Sequence, residues 1–130
     1  MPFYRISEMA DVKDVYGPTS HKQVNGEFMK VGIVTLRPGE EPEPHFHPNE
    51  EEFDLILEGR VLMVLGNEKK VLERGDLVHI PRNTVHGRKV LDADPLVFLN
   101  CKSPVGSGAL SGDYNLAAQA AEIKQRLGRA

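Results

Sequence analysis

The chain has 130 residues, of which 40% are apolar and 27% charged, with a net charge of −3. That is the size and composition of one globular domain with a small core, and its scattered lysines and arginines form no basic patch for nucleic acid or an anionic membrane. The single cysteine, Cys101, excludes an intrachain disulfide and suits a reducing compartment.

The N-terminal stretch carries acids early and lacks an apolar core, so no signal peptide is expected. The longest apolar runs, residues 61–65 and 96–99, are too short to span a bilayer, and a cytoplasmic protein is the default reading. Val24-Asn25-Gly26-Glu27 predicts a hairpin turn, because Asn-Gly readily takes the positive φ angles of a type I′ turn. Strands are predicted over residues 28–36, 52–57, 60–65, 69–72, 77–80 and 95–101, separated by Arg37-Pro38-Gly39, Glu58-Gly59, Gly66-Asn67, Arg74-Gly75-Asp76 and Pro81. Short strands broken this way argue for an antiparallel sandwich or barrel, since no helical stretch separates them as parallel β/α units require.

Residues 103–112 are rich in Gly and Ser and predict a mobile loop. Leu116, Ala120, Ile123 and Leu127 then recur at helical spacing, with Asn115 or Asp113 as N-cap and Gly128 beyond the last apolar residue. This helix is expected either to cover the outside of the barrel or to make a dimer contact. In outline, residues 1–26 read as an arm with the first strands, 27–103 as the barrel, and 104–130 as loop and helix, one domain in all.

His45-Phe46-His47 opens the second strand run in this reading. Residues two apart on an extended chain share a face, their Cα atoms roughly 7 Å apart, so two imidazoles can converge on one ion. Glu52 follows after Pro48-Asn49-Glu50-Glu51, a stretch that can bend and return a carboxylate to the same point, and His86 comes after Pro81. Three neutral nitrogens and one carboxylate suit one divalent transition ion (iron, manganese, nickel, copper or zinc) better than calcium or magnesium. Each piece alone is weak: a lone His-x-His is more often a surface accident, and a glutamate run is usually solvated. Their joint spacing changes the odds.

The spacing Gly39-x5-His45-x-His47-x4-Glu52-x6-Gly59 resembles the first cupin motif at every defined position. Gly75-x5-Pro81-x-Asn83-x2-His86 resembles the second, except that Asn83 replaces the usual Gly and Val90 stands where the family usually has Asn. Asn is the commonest non-Gly residue at positive φ, so the first exchange can keep the turn. The resemblance runs from Gly39 to Val90. It implies a small single-domain bacterial cupin of the RmlC-like superfamily: an all-β jelly-roll barrel with a C-terminal α-helix, and a metal held by residues matching His45, His47, Glu52 and His86. The family's usual homodimer is implied with it.

Strand alternation from Glu52 turns Asp54 and Ile56 inward with the ligand, and Phe53, Leu55 and Leu57 outward. An inward carboxylate beside a metal is costly unless hydrogen-bonded or working, so Asp54 is the candidate general base. The competing expectation is a bulge that turns it to solvent. His79 reads as a core-edge or surface histidine, Arg37, Arg82 and Arg88 as exposed strand-end charges, Cys101 as a buried strand residue, and Met29 and Met63 as core filler.

Two chemistries suit such a site: activation of O₂ with an enolate or diol on iron, or isomerisation or elimination on manganese, nickel or zinc with Asp54 moving a proton. Asp54 favours the second, on a small polar keto- or sugar-acid-like substrate. The alternative is a module that binds a small ligand or metal without turnover.

Overall fold

The computed structural model describes residues 3–12, 20–104 and 115–129. Among these residues ten strands follow one another in chain order: β1 (Ser20–Asn25), β2 (Lys30–Leu36), β3 (His45–Phe46), β4 (Glu51–Glu58), β5 (Arg60–Leu65), β6 (Glu68–Glu73), β7 (Leu77–Ile80), β8 (His86–Val90), β9 (Leu96–Ser103) and β10 (Asn115–Leu116). A helix, α1 (Ala120–Leu127), closes the described chain. The strands form two five-stranded antiparallel sheets, ordered β1-β2-β9-β4-β7 and β10-β3-β8-β5-β6, which face each other as a jelly roll. No helix among the described residues is long and apolar enough to cross a membrane.

Alternation sorts each strand into an inner and an outer face, and the inner faces change character along the barrel. At one end Leu36 pairs with Leu96, and Val34 and Ile56 flank Phe98, all buried. These join Val61, Met63, Leu72, Ile80 and Val90 of the other strands in one apolar core. Further along lie Gly32, Asn100 and Asp54, and then Lys30, Lys102 and Glu52. On the facing sheet the same progression runs from Val61 and Val90, through Met63 and Arg88, to Leu65 and His86. The apolar end supplies the hydrophobic driving force, at about 1.5–3 kcal/mol per fully buried large side chain. The polar end holds the chemistry.

Several predicted elements shift. The hairpin at residues 24–27 forms, but neither Asn25 nor Gly26 takes positive φ, so it is not a type I′ turn; the strands join through four residues, with Gly26 N–H donating to Met29 O at 2.7 Å. Met29 is exposed rather than core filler, while Met63 is buried as expected. Asn115 caps no helix: it pairs with Phe46 in β10, and α1 begins after Gln119, whose side chain makes no cap bond. Asp113 and most of the predicted loop at 103–112 lie outside the described residues. Gly128 ends the helix as expected, at φ 73°.

The helix covers the outside of the second sheet. Ile123 and Leu127 pack on Val64 and Ala117, and Gly87 of β8 makes this possible. A Cβ on Gly87 would sit 3.1 Å from both Ile123 Cγ2 and Leu127 Cδ1. Lys69 and Lys89 donate to the helix's C-terminal carbonyls at Arg126 and Gly128, where the helix dipole favours cations.

Candidate metal centre

His45 and His47 do not begin the strand that carries Glu52. His45 lies on β3 in the second sheet, Glu52 on β4 in the first, and His47 to Glu50 carry the chain across between them. His45 faces His86 directly in the β3–β8 register. His47 is set by the turn before β8, where Asn83 N–H donates to His47 O at 2.9 Å. Asn83 holds φ 62°, so it makes the turn that glycine usually makes in the second motif.

One potential ligand atom from each of His45, His47 and His86 lies within 4.8 Å of the other two, and all three residues are buried. Their Nδ1 atoms are held from behind. His45 Nδ1 is 2.7 Å from Glu43 O, His86 Nδ1 is 3.0 Å from Thr84 O, and His47 Nδ1 is 3.3 Å from Glu50 Oε1. Carbonyl oxygens only accept, so His45 and His86 keep their protons on Nδ1 and present lone pairs at Nε2. Burial, with the Arg88 cation adding to it, pushes His86 down to about 3. Burial and the neighbouring imidazoles likewise hold His45 well below its usual range. At neutral pH these rings are therefore uncharged, as metal ligation requires.

His86 Nε2 decides whether an ion fits. It is fully buried and makes no hydrogen bond, an arrangement that is costly in a protein interior unless something electrophilic meets the lone pair. An ion at the three histidines satisfies it. Glu52 stands beside this group, its Oε1 3.8 Å from His47 Nε2, but the mutual 4.8 Å cluster contains the histidines alone. Its other oxygen, Oε2, lies 3.4 Å from Arg88 NH2, and Lys102 Nζ is 3.8 Å from Oε1. Burial opposes ionisation of Glu52, yet Lys102 and Arg88 hold it well below the usual carboxylate range.

Asp54 points inward, and no bulge precedes it; the β4 irregularity falls later, between Ile56 and Glu58. Its Oδ2 accepts a hydrogen bond from Arg88 NH2, while its buried Oδ1 accepts none. Burial and the adjacent Glu52 raise Asp54 well above the usual carboxylate range, so of the two acids Asp54 holds a proton the more tightly.

Arg88 corrects its sequence reading as an exposed strand-end charge. It is buried, bridges Asp54 and Glu52, and lies 4.8 Å over the Phe98 ring centroid. Arg37 and Arg82 are exposed as expected. Glu50, Lys30 and Lys102 were not singled out by sequence. Glu50 is completely buried, 2.9 Å from Lys30 Nζ, in the middle of an acidic run that resembles a solvated surface. The one available signal was Lys30 at an inward position of its strand. His79 is a half-exposed residue bonded to Glu51 and stacked on Phe53, away from the cluster, and Cys101 is half-buried.

Residues 32–101, more than half of the chain, match the cupin domain family. The chain is a cupin. A relative from Methanocaldococcus jannaschii, MJ1618, is 34% identical over 101 residues, covering 78% of each chain. Among solved structures this cupin is similar to KdgF from Halomonas sp., with a TM-score of 0.69 and 27% identity over 79% of this chain and 94% of that one. It shares the fold of Bacillus subtilis oxalate decarboxylase, a protein with Mn(II) centres, at a TM-score of 0.65 and 20% identity; the match covers 79% of this cupin and 32% of that chain.

Proposed function

We propose that this cupin holds one divalent transition metal through His45, His47, Glu52 and His86 and acts on a small keto- or sugar-acid-like substrate by isomerase or lyase chemistry. The observation that carries the reading is the buried Nε2 of His86, aimed with two further imidazoles beside a carboxyl pair whose members differ in proton affinity. Two acids held at different pKa values are the usual preparation for acid–base work. When bound, the ion supplies Lewis-acid polarisation of a carbonyl oxygen.

This chain's residues do the rest. Arg88 anchors Asp54 through Oδ2, leaving Oδ1 to take a proton from the substrate and return it elsewhere. The raised proton affinity of Asp54 brings it closer to what general-base catalysis at neutral pH needs. Glu52, kept ionised by Lys102 and Arg88, is matched to ligation rather than proton transfer. The reading includes a cytoplasmic homodimer, for which the exposed Val31, Phe53 and Leu77 on the outer face of the first sheet offer an apolar surface.

The test has two stages. Metal content is measured by plasma mass spectrometry on untagged protein beside His47→Ala, and manganese, nickel or zinc near one per chain, lost in the variant, is expected. Solvent deuterium exchange next to the carbonyl of keto-acids then reports proton abstraction, which Asp54→Asn should suppress. Iron with substrate-dependent oxygen uptake would overturn the isomerase assignment. Full metal loading without any exchange or turnover would favour a binding module instead.

A further inference from the structure

Charge is distributed unevenly among the groups inside the barrel. Lys30, Lys102 and Arg88 face Glu50, Glu52 and Asp54, three cations against three acids. Two of the cations are closely held: Lys30 Nζ is 2.9 Å from Glu50 Oε2, and Arg88 hydrogen-bonds both Asp54 and Glu52. Lys102 is different. Its Nζ stands 3.8 Å from Glu52 Oε1 and 3.9 Å from Glu50 Oε1, beyond hydrogen-bond reach of either. It is also the least enclosed, its side chain 14% exposed against 6% for Lys30 and 7% for Arg88.

Register explains how it gets there. Lys102 lies on β9 between Lys30 of β2 and Glu52 of β4, so its side chain enters the barrel in the layer that faces His86. Glu52 Oε1 links the two sides, 3.8 Å from Lys102 Nζ and 3.8 Å from His47 Nε2. Anything seated on the histidine cluster next to Glu52 therefore comes within reach of the ammonium.

We infer that Lys102 anchors an anionic group, a carboxylate, on the ligand that occupies the histidine cluster. The inference rests on the reading that this cluster holds a divalent metal. Even with all three acids ionised they only balance the three cations, so two added positive charges leave the interior in surplus. A mono- or dicarboxylate restores the balance, where a neutral polyol does not. An ammonium this enclosed is poorly hydrated, and a carboxylate partner offsets that cost through a charge-assisted bond. Lys102 acts here as a specificity residue that selects acids over neutral substrates of the same shape.

The experiment is calorimetric titration of the metal-loaded protein with malonate and with malonamide, its neutral analogue. Malonate should bind the wild type more tightly than malonamide does. Lys102→Met should weaken malonate by about tenfold or more, in line with the loss of a charge-assisted hydrogen bond, and leave malonamide unchanged. Lys102→Arg should retain the preference. Equal binding of malonate to wild type and Lys102→Met, or equal binding of malonate and malonamide to the wild type, overturns the assignment. The second comparison needs no variant and stands even where Lys102→Met does not fold. Metal content of each sample separates the two failures. A loaded protein that ignores charge refutes the Lys102 role alone, whereas a protein that takes up no metal refutes the parent reading and this one with it.

Discussion

Arg88 on β8 donates a hydrogen bond to Asp54 on β4, tying the two sheets together across the barrel interior between the apolar core and the histidine cluster. The same guanidinium reaches Glu52 at 3.4 Å and covers the Phe98 ring. Removing Arg88 leaves Asp54 buried without its hydrogen-bond donor and takes from Glu52 one of its two nearby cations. Arg88→Ala is therefore expected to lower unfolding stability by roughly 3–5 kcal/mol, while Arg88→Met paired with Asp54→Leu recovers most of it. Chemical denaturation of the single and double variants measures this. A single variant within 1 kcal/mol of wild type would mean that the pair is not formed in solution.

Glu50 sits behind His47, its Oε1 3.3 Å from His47 Nδ1 and its Oε2 2.9 Å from Lys30 Nζ. Changes in groups that orient a ligand from behind typically reduce metal affinity about 10–100-fold. Glu50→Ala should show that loss in a competitive chelator titration and should also destabilise the fold, because Lys30 is left buried. Glu50→Gln, which keeps an acceptor for His47, should lose less affinity. Equal affinities in all three proteins would remove Glu50 from the centre.

The metal-free protein should lose stability on acidification through its histidines. In the unfolded chain imidazole titrates near 6.5, whereas folding pushes His86 down to about 3. Between those values the unfolded chain binds a proton that the folded chain does not, so stability falls as pH drops below 6.5 and this loss levels off only near 3. His45, shifted the same way, adds to the slope. Denaturant midpoints measured from pH 7 to pH 4 should show a shallower slope in His86→Gln. An unchanged slope would contradict the burial of a neutral ring.

Gly87 is where α1 meets the barrel. A methyl group there would lie 3.1 Å from Ile123 Cγ2 and Leu127 Cδ1 and 3.2 Å from Pro44 Cγ, closer than ordinary packing allows. Gly87→Val should force the helix outward at a cost of about 1–3 kcal/mol, the range for overpacked sites. Amide exchange should show the loss concentrated in residues 120–127. A uniform change across the sheets would indicate that the helix is not an independent cover.

Asn83 tests the one departure from the second motif that bears on backbone shape. At φ 62° a β-branched side chain is strained by about 1–2 kcal/mol, so Asn83→Val should destabilise the turn and weaken metal binding through His47, whose carbonyl Asn83 holds. Asn83→Gly should be close to neutral on both counts. Thermal melting with a metal titration on the two variants distinguishes them.

By itself the sequence determined most of the local structure. Residues 60–65 and 77–80 are strands with the predicted bounds, and alternation correctly turned Asp54 inward. Asn83 takes the predicted positive φ, and Gly128 ends the helix. These depend on neighbours in the chain: side-chain period, turn residues and cap residues, all written within a few positions. The start of α1 was misplaced because Leu116 fits a helical stripe while its backbone is drawn into pairing with β3, a partner far off in sequence. The interior charges were beyond local reading for the same kind of reason. Glu50, Lys30, Lys102 and Arg88 each favour water until a counter-charge arrives, and that charge comes from another strand; Arg88 lies 34 residues from Asp54 and 36 from Glu52. Strand pairing within the first sheet, and for Arg88 the facing of the two sheets, brings such groups together, and only that proximity makes burial cheaper than exposure. The kinds of side chain at the centre were therefore legible in the motifs, while the tertiary structure decided which of the remaining charges are held inside beside them.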